Sequence, residues 1–365
     1  MRVVIRTDLA SHIGAGHLMR CLTLANELRA KGAGICFVCR PFLECLSERI
    51  VSEGHTLYLL PLATQAINPN PKMPETPPHA LWLGERWETD LTQTQEVLRG
   101  KQFDWLIVDH YSLDYKWESA MRKFTRKIMV IDDLADRIHD CDLLLDQTLD
   151  RSEDLYKPLV KKQSCKFLIG SKYALLRPEF RALRDLSLQR RENTQLKNLM
   201  VTFGGIDQDN VTGRVLHVLK DSPLPKACCI TVVLGMNFPS LDAVKRLAQA
   251  LPWPTQVLIN VSQMAQIMAD SDLCIGSAGS TSWERCCLGL PTLMMVLRSN
   301  QQEIGRALEE KQAAIILSEV LDIKENIGVL CSNPKRLDCM SRASSAITDG
   351  SGLETVVSHL DYSCS

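Results

Sequence analysis

Short apolar runs alternate with longer amphipathic stretches along most of the chain. Runs such as Arg2–Asp8 and Trp105–Asp109 are apolar on both faces of an extended strand, and residues at helical spacing follow them. Strands of this kind, each followed by a helix, are typical of parallel sheets covered on both faces. The first half of the chain predicts strands at Arg2–Asp8, Gly34–Arg40, Thr56–Leu60, Trp105–Asp109, Lys127–Asp132 and Leu143–Asp146, and helices at His17–Ala30, Leu43–Gly54, Thr92–Gly100 and Leu113–Thr125.

The same alternation begins again at Leu199, so the second half of the chain repeats the pattern of the first. A length of 365 residues suits two domains of ~100–200 residues each. The second series predicts strands at Leu199–Phe203, Cys229–Leu234, Gln256–Val261, Leu273–Ile275 and Thr292–Leu297, and helices at Asn210–Lys220, Ser240–Leu251, Ser280–Leu288 and Gln301–Lys311.

We therefore predict an α/β protein of two Rossmann-like, doubly wound domains that face one another across a cleft. The first domain spans 1–185, residues 186–197 form a linker, and the second domain spans 198–365. The segment Pro334–Thr348 is expected to be helical and able to cross back onto the first domain. The proline-rich segment Pro61–Pro78 has no periodicity and predicts a surface loop of the kind that often serves as a lid.

The charge balance narrows the classes of partner. Lys and Arg total 42 and Asp and Glu total 43, which gives a formal net charge of −1. A chain this close to neutral lacks the basic surface needed to bind nucleic acid or an anionic membrane. Apolar stretches such as Leu293–Leu297 are far shorter than the ~20 residues that span a bilayer, and the N-terminus has no signal-peptide pattern. We predict a cytoplasmic protein with a small-molecule partner, and the sequence leaves its oligomeric state open.

The chain has 14 cysteines, and most lie in apolar segments. Cys36 and Cys39 form one C-x-x-C pair, but it falls inside a predicted strand, where a spacing of three puts the side chains on opposite faces. This favours buried, reduced thiols over a metal or redox site. The acidic cluster Ile131–Asp136 favours turn carboxylates over a magnesium site. We predict neither a metal nor a cofactor.

The first candidate site is the turn after the first strand, from Asp8 to the start of the next helix. Ligands of open parallel sheets bind at the carboxyl ends of strands, and Gly14 and Gly16 would let the backbone approach one closely. His17 falls in the first helical turn, where the helix dipole disfavours the imidazolium, so the ring is suited to act as a general base. Arg20 lies on the same helical face and could meet a phosphate. The alternative is a tight turn with a histidine packed locally.

The second candidate site is the turn Gly276–Glu284, GSAGSTSWE, which follows a strand and opens a helix. Backbone N–H groups at Gly279 and the hydroxyls of Ser280 and Thr281 could hold a diphosphate. Glu284 could accept hydrogen bonds from a ribose diol beside it. The same residues would also suit an ordinary helix cap, with Ser280 or Thr281 as the N-cap.

Three further groups follow predicted strands. Gly204 and Gly205 form a turn suited to backbone contacts with a nucleotide. Asn300 and Gln301 offer amides that could bind sugar hydroxyls or acetamido groups, and Tyr111 lies in the polar stretch VDHYSLD. The alternative for each group is a cap or turn, with Asp209 or Asn210 as the N-cap after the two glycines.

The segment Arg6–Ala25, RTDLASHIGAGHLMRCLTLA, resembles the opening signature of the PseG family. The blocks VDHYSLD, IDDLADR, YALLRPEF and FGGID and the run from Gly276 to Gln301 fit the same family, in order, over about residues 1–310. Members of that family are UDP-2,4-diacetamido-2,4,6-trideoxy-β-L-altropyranose hydrolases of pseudaminic acid biosynthesis. They are similar in fold to MurG-like glycosyltransferases of the GT-B class.

The resemblance implies a GT-B-like fold with a UDP-sugar as substrate. It implies that His17 activates a water for inverting attack at the anomeric carbon, and that the block containing Glu284 holds the uridine ribose. Arg20 would stabilise the departing diphosphate, without a metal. The chief alternative is an inverting MurG-like glycosyltransferase, whose acceptor domain would need a glycine-rich turn that DHYSLD lacks. A third possibility, a non-catalytic nucleotide-sugar sensor, is disfavoured by the combination of His17, Arg20 and Glu284.

Overall fold

The structure is a computed structural model that describes residues 1–8, 16–41, 44–62, 77–192, 195–205, 207–236 and 238–360, with the backbone alone at 44–46. The chain divides into two compact units. The first unit comprises Met1–Leu175 together with the C-terminal segment from Leu353, and the second comprises Leu176–Gly352. No helix in the described part of the chain is long and apolar enough to cross a membrane.

In its described residues, the first unit is built on a seven-stranded parallel sheet with the order β3-β2-β1-β4-β5-β6-β7. Its strands are β1 (Arg2–Thr7), β2 (Gly34–Cys39), β3 (Thr56–Leu59), β4 (Phe103–Asp109), β5 (Thr125–Ile131), β6 (Leu143–Asp146) and β7 (Lys166–Ile169). Its helices are α1 (Gly16–Ala30), α2 (Glu44–Ser52), α3 (Trp87–Val97), α4 (Tyr115–Met121) and, after the second unit, α13 (Gly352–His359). Short 3₁₀ helices lie at Ala80–Leu83, Arg122–Phe124, Glu153–Leu155, Lys157–Leu159 and Ser171–Tyr173.

Both faces of this sheet are covered by apolar side chains. Val3 and Ile5 of β1 pack in one cluster, whereas Val4 between them packs in another. The continuous apolar strands of the sequence are explained by this double burial. Cys36 and Cys39 belong to the two different clusters, which confirms that their side chains lie on opposite faces of β2.

The second unit repeats the topology of the first. Its described residues form a six-stranded parallel sheet with the order β10-β9-β8-β11-β12-β13. The strands are β8 (Asn198–Thr202), β9 (Cys229–Leu234), β10 (Thr255–Ile259), β11 (Leu273–Ser277), β12 (Thr292–Met295) and β13 (Ala314–Leu317). The helices are α5 (Pro178–Arg190), α6 (Val211–Leu219), α7 (Leu241–Gln249), α8 (Met264–Asp270), α9 (Thr281–Cys287), α10 (Gln302–Glu310), α11 (Asp322–Ser332) and α12 (Pro334–Ser345), with a 3₁₀ helix at Ser299–Gln301.

The limits of the units differ from the predicted limits of the domains. Helix α5, which the prediction divides between the first domain and the linker, belongs to the second unit. Helix α12, within the segment expected to cross back, also stays in the second unit, because its Leu337 and Met340 pack in that unit's core. It is the following helix, α13, whose Leu353 and Val356 pack on the sheet of the first unit.

Most predicted elements are present, with shifts at their ends. The prediction has no counterpart for β7, β13, α8, α11 or α13. Helix α3 begins at Trp87 rather than at the predicted Thr92. Of the predicted loop Pro61–Pro78, residues 63–76 lie outside the described residues.

Candidate functional site

Both sheets reverse their strand order at one point. In the first unit this point lies between β1 and β4, and in the second it lies between β8 and β11. Ligands of doubly wound sheets bind beyond the carboxyl ends of the strands at this reversal. Asp8 follows β1, and Gly204 and Gly279 follow β8 and β11, so most of the predicted site residues lie at these edges.

In the first unit, His17 and Asp109 form a close pair. The Nδ1 atom of His17 lies 2.6 Å from Oδ1 of Asp109, which ends β4 and is fully buried. An ionised carboxylate can only accept hydrogen bonds. Nδ1 therefore carries a hydrogen and donates a hydrogen bond to Asp109. The neutral ring therefore keeps its lone pair on Nε2, which is the arrangement that a general base needs.

Arg20 is held by carboxylates, whereas the prediction gave it a phosphate. Its Nε and one terminal nitrogen each lie 2.7 Å from an oxygen of Asp109, and its other terminal nitrogen lies 2.6 Å from Asp133. Burial alone would raise the pKa of Asp109, but the charge of Arg20 and the hydrogen bonds from Arg20 and His17 outweigh it and hold that pKa well below its usual range. Arg20 thus keeps Asp109 ionised opposite His17.

Tyr111 joins this group from the turn after β4. Its hydroxyl donates to Asp133 at 2.9 Å, and its ring meets the ring of His17 edge-on, with centroids 4.5 Å apart. The rings of His79 and Trp82 lie 5.6 and 5.7 Å from Tyr111, and burial lowers the pKa of His79. His17 therefore borders on an aromatic cluster as well as on a carboxylate.

Asp8 lies in the protein interior instead of on an open ligand site. It accepts a hydrogen bond from Arg6 at 2.9 Å and one from the backbone N–H of Arg40 at 2.7 Å, and His110 Nε2 lies 3.2 Å away. Burial opposes ionisation, but Arg6 and His110 outweigh it and lower the pKa of Asp8. The predicted substrate-binding Asp8 is thus buried among partners within the protein. Of the predicted glycines nearby, Gly16 begins α1 and Gly14 lies outside the described residues.

An aspartate stands at the carboxyl end of each of four neighbouring strands in this sheet. The four are Asp8 after β1, Asp109 in β4, Asp132 after β5 and Asp146 in β6, and each is paired with its own arginine: Arg6, Arg20, Arg137 and Arg151, respectively. The pKa of Asp132 lies well below its usual range because Arg137 and His139 outweigh its burial. Asp146 is the exception, because burial and the charge of Asp133 raise its pKa to about 6. Within the described residues, no group of three or more His, Cys, Asp or Glu is arranged to hold a metal ion.

In the second unit, Gly276 within β11 and Gly279 in the turn after it have different surroundings. A Cβ atom on Gly276 would lie 2.6 Å from the carbonyl oxygen of Thr202, so only glycine fits there. A Cβ on Gly279 would meet nothing closer than 3.9 Å, where the amide nitrogen of Gln301 lies. Ser280 is exposed and Thr281 half-buried, and Ser280 makes no side-chain capping bond to α9. The turn is open to a ligand at Gly279–Thr281.

Glu284 and Gln301 lie beside this turn. Glu284 is half-buried, its carboxylate lies 3.6 Å from the guanidinium of Arg177, and burial raises its pKa. Gln301 accepts a hydrogen bond from the backbone N–H of Leu297 at 2.9 Å, which leaves its amide nitrogen towards Gly279. Asn300 precedes it, half-buried in the same 3₁₀ helix.

The turn at Gly204 and Gly205 has its following helix already capped. Asp207 accepts hydrogen bonds from the backbone N–H groups of Val211 and Thr212 at 2.9 and 2.8 Å, and Asn210 accepts one from Gly213 at 3.0 Å. The N-terminal N–H groups that might bind a phosphate are thus used within the protein. Gly204 has a φ of +88°, so this turn needs its first glycine for backbone reasons alone.

The sequence placed Asp109 in the polar stretch after a buried strand but did not pair it with His17, and it gave no site role to Asp133 or Arg285. Asp109 and Asp133 organise His17, Arg20 and Tyr111, and Arg285 lies buried beneath the turn after β11. The sequence does mark Asp109 as the polar residue that ends an apolar strand. In the sheet it pairs in register with Thr7, the residue before Asp8. Nothing local marks its pairing with His17, which is 92 residues away along the chain.

Comparison with known proteins extends these observations. Residues 200–354 match the protein family described as the glycosyltransferase family 28 C-terminal domain. The chain is 25% identical over 308 residues to the uncharacterized protein MJ1062 of Methanocaldococcus jannaschii, covering 83% of this chain and 57% of that protein. It thus spans little more than half the length of this relative.

Two further likenesses concern proteins of similar length. The chain is 25% identical over 313 residues to the UDP-2,4-diacetamido-2,4,6-trideoxy-β-L-altropyranose hydrolase of Campylobacter jejuni, covering 85% of this chain and 97% of that protein. The crystal structure of MurG from Acinetobacter baumannii matches with a TM-score of 0.67 at 15% identity, covering 98% of this chain and 99% of that chain. Together with the two parallel-sheet units, these likenesses confirm the predicted GT-B-like α/β fold class.

Proposed function

We propose that this protein is a hydrolase that cleaves a UDP-linked 2,4-diacetamido-2,4,6-trideoxyhexose into free sugar and UDP. The observation that carries the proposal is the 2.6 Å contact between His17 Nδ1 and the buried carboxylate of Asp109. The similar Campylobacter jejuni protein is named as a hydrolase of such a nucleotide sugar. UDP-2,4-diacetamido-2,4,6-trideoxy-β-L-altropyranose, a precursor of pseudaminic acid, is the first substrate to test.

The proposed reaction uses His17 as the base. Nε2 of His17 takes a proton from water while the water oxygen forms a bond to the anomeric carbon. The bond between that carbon and the diphosphate oxygen breaks, its electron pair leaves with UDP, and the configuration inverts. Asp109 accepts a hydrogen bond from the Nδ1–H group throughout and stabilises the imidazolium as it forms. Arg20 acts as a positioning residue, because its hydrogen bonds hold the Asp109 carboxylate in place.

The proposal assigns the nucleotide to the second unit. Gly279, Ser280 and Thr281 would contact the diphosphate, which agrees with the open space beside Gly279. Glu284 would accept hydrogen bonds from the ribose hydroxyls, and Asn300 and Gln301 would contact sugar hydroxyls or acetamido groups. The capping of α6 by Asp207 and Asn210 makes a phosphate role for Gly204 and Gly205 less favourable than the sequence suggested.

The test is incubation of the purified protein with a panel of UDP-diacetamido-trideoxyhexoses in the absence of any acceptor. We expect release of UDP with an equal amount of free sugar, whose first-formed anomer is inverted when followed by NMR. Turnover is expected to persist in EDTA. Absence of free sugar from every member of the panel would contradict the proposal, as would loss of activity in EDTA that Mg²⁺ restores.

A second candidate function is that of an inverting glycosyltransferase with a UDP-sugar donor. It is favoured by the family 28 model over residues 200–354 and by the likeness in fold to MurG. A transferase would release UDP only when an acceptor is added, and the sugar would be recovered on that acceptor. UDP release without acceptor therefore separates the two candidates. Tight binding of the nucleotide sugar without any product would instead indicate a non-catalytic sensor.

A further inference from the structure

One carboxylate oxygen of Asp133 binds two side chains that surround His17. Oδ2 of Asp133 accepts a hydrogen bond from a terminal nitrogen of Arg20 at 2.6 Å and one from the hydroxyl of Tyr111 at 2.9 Å. Arg20 in turn holds Asp109, the carboxylate that lies against Nδ1 of His17. The ring of Tyr111 meets the ring of His17 edge-on, with centroids 4.5 Å apart. Two separate chains of contacts therefore connect one atom of Asp133 with the imidazole.

The order of the strands explains how one carboxylate reaches both side chains. Strand β4 lies between β1 and β5 in the sheet. Arg20 is on α1, which follows β1, Tyr111 is in the turn after β4, and Asp133 is in the bend after β5. The backbone carbonyl of Asp133 also accepts a hydrogen bond from Arg151 at 2.7 Å. The bend is thus held by a contact that involves neither Arg20 nor Tyr111.

Asp133 is not needed to neutralise Arg20. Both oxygens of Asp109 already accept hydrogen bonds from Arg20, at 2.7 Å each. The neighbouring cations Arg137 and Arg151 are paired with strand-end aspartates of their own. Asp133 is therefore an additional carboxylate beside an ion pair whose charges already cancel.

This additional negative charge gains a purpose when His17 takes a proton. Two carboxylates and one guanidinium leave one negative charge beside the neutral ring, and the imidazolium would balance it. Charges that are fixed before a reaction stabilise a charge that develops during it. The side chain of Asp133 is 19% exposed, so water screens its charge less than that of a surface group. Burial and the charge of Asp133 raise the pKa of Tyr111, which keeps the hydroxyl protonated as a donor to Asp133.

We propose that Asp133 is a positioning residue for the reaction, which fixes Arg20 and Tyr111 around His17 and supplies the negative charge that balances the imidazolium. The inference rests on the proposed function and deepens it. Asp133 acts through its two partners and through its charge. Loss of the charge is expected to lower kcat by about tenfold. KM should stay within about twofold of the native value, because the proposed nucleotide contacts are made by the second unit.

The experiment compares UDP release by Asp133→Asn, by Asp133→Ala and by the control Asp136→Asn. Asp133→Asn keeps an oxygen that can accept the hydrogen bond of Tyr111 but loses the charge, whereas Asp133→Ala loses both. We expect kcat per folded molecule to fall about tenfold in the first variant and further in the second, with KM close to native in both. Asp136→Asn removes a carboxylate of the same loop, whose partner is Arg137 at 3.1 Å, and should keep the native kcat.

The split between kcat and KM separates positioning from a merely structural role, because the folded fraction of each variant is measured by circular dichroism. Native kcat in Asp133→Asn would overturn the inference. Equal losses in Asp133→Asn and Asp136→Asn would also overturn it, since the effect would then belong to any carboxylate of the loop. A loss that appears in KM alone would do the same.

An NMR measurement without substrate distinguishes this inference from the proposed function. Nuclear Overhauser effects between the ring hydrogens of His17 and Tyr111 should be present in the native protein and in Asp136→Asn, and they should be lost in Asp133→Ala. Their loss in a protein that hydrolyses no UDP-sugar would support positioning by Asp133 while the proposed function fails. Their persistence in Asp133→Ala would contradict the inference.

Discussion

The carboxyl edges of the two sheets have the same strand order but different chemistry. In the first unit, aspartates end four neighbouring strands, and each is paired with an arginine inside the protein. In the second unit, the corresponding turn is made of glycine, serine and threonine, and Arg285 beneath it donates to the carbonyl oxygen of Ser277 and the hydroxyl of Ser282. One edge is lined by paired charges, and the other is lined by backbone and hydroxyl groups.

Under the proposed function, the two edges have different tasks. An ionised, rigidly held carboxylate beside an imidazole is suited to moving a proton, because the charges are already arranged. A turn lined by backbone and hydroxyl groups is suited to binding an anion, because it presents hydrogen-bond donors. Fold alone would not distinguish these two edges, whereas their side chains do.

Replacing His17, the proposed base of the first sheet's edge, is expected to have the largest effect on turnover. His17→Asn should lower turnover by roughly 10²–10⁴, because the variant cannot take the water proton. UDP affinity should change little, since the proposed nucleotide residues lie in the second unit. The measurement is kcat for UDP release together with calorimetric UDP binding. His217→Asn, an exposed histidine on α6, is the control and should keep native turnover. Near-native turnover of His17→Asn would remove His17 from the base role.

The division of roles was only partly visible in the sequence. The fold class was predictable because strands buried on both faces appear as continuous apolar runs. Helix α3 begins at Trp87, five residues before the predicted start at Thr92, so the prediction left out Asp90 in its first turn. In the structure, that carboxylate is buried against Arg6 and Arg40, at 2.7 and 2.8 Å. The short strands β7 and β13, at the ends of their sheets, gave a weaker signal than the central strands.

The sequence predicted the candidate site less completely than the fold. His17 and the turn at Gly279 follow strands directly, so local spacing predicted them. The partners of His17 and Arg20 come from other strands, at separations of 92 and 113 residues for Asp109 and Asp133. Tertiary pairing of this kind leaves no local pattern, so the carboxylate partners of Arg20 could not be predicted from the sequence.

The second prediction tests whether Asp109, among the four strand-end aspartates of the first sheet, has a specific role in turnover. Asp109→Asn should lower turnover by roughly 10²–10³, because an amide no longer fixes the ring tautomer or stabilises the imidazolium. It should also lower the free energy of unfolding by about 3–5 kcal/mol, since Arg20 loses a buried partner. The matched control is Asp132→Asn, which breaks a buried pair with Arg137 on the next strand. We expect a similar loss of stability and native turnover per folded molecule. Equal losses of turnover in the two variants would contradict a specific role for Asp109.

The third prediction separates the two glycines of the second edge. Gly279→Ala should keep the native free energy of unfolding, because the added methyl meets nothing closer than 3.9 Å. The same variant should weaken UDP binding by about tenfold, since the methyl takes the space assigned to the diphosphate. Gly276→Ala should lower the free energy of unfolding by about 1–3 kcal/mol, because its methyl would lie 2.6 Å from a backbone oxygen. Urea unfolding and calorimetric UDP binding measure both effects. Native UDP affinity in Gly279→Ala would place the diphosphate elsewhere.

The smallest expected effect concerns how the free energy of unfolding depends on pH through two of the four strand-end aspartates, Asp109 and Asp146. The pKa of Asp146 is raised to about 6 by burial and by Asp133, so its contribution to stability is fully present below the unfolded value near 4 and is lost as the pH rises through 6. Asp109 has a lowered pKa, so its contribution is constant above pH 4 and is lost only in stronger acid. The two residues should therefore differ in the sign of their pH dependence although both end buried strands.

Urea unfolding of the native protein and of Asp146→Asn between pH 4 and pH 8 tests this difference. The free energy of unfolding of the native protein, relative to Asp146→Asn, should fall by up to about 3 kcal/mol between pH 4 and pH 7 and then level off. The same comparison with Asp109→Asn should be flat over that range. A flat curve for Asp146→Asn would mean that Arg151, 2.9 Å from Asp146, compensates its charge as completely as Arg20 compensates that of Asp109. The four strand-end aspartates would then behave alike, and the contrast with the glycine, serine and threonine turn of the second sheet would be complete.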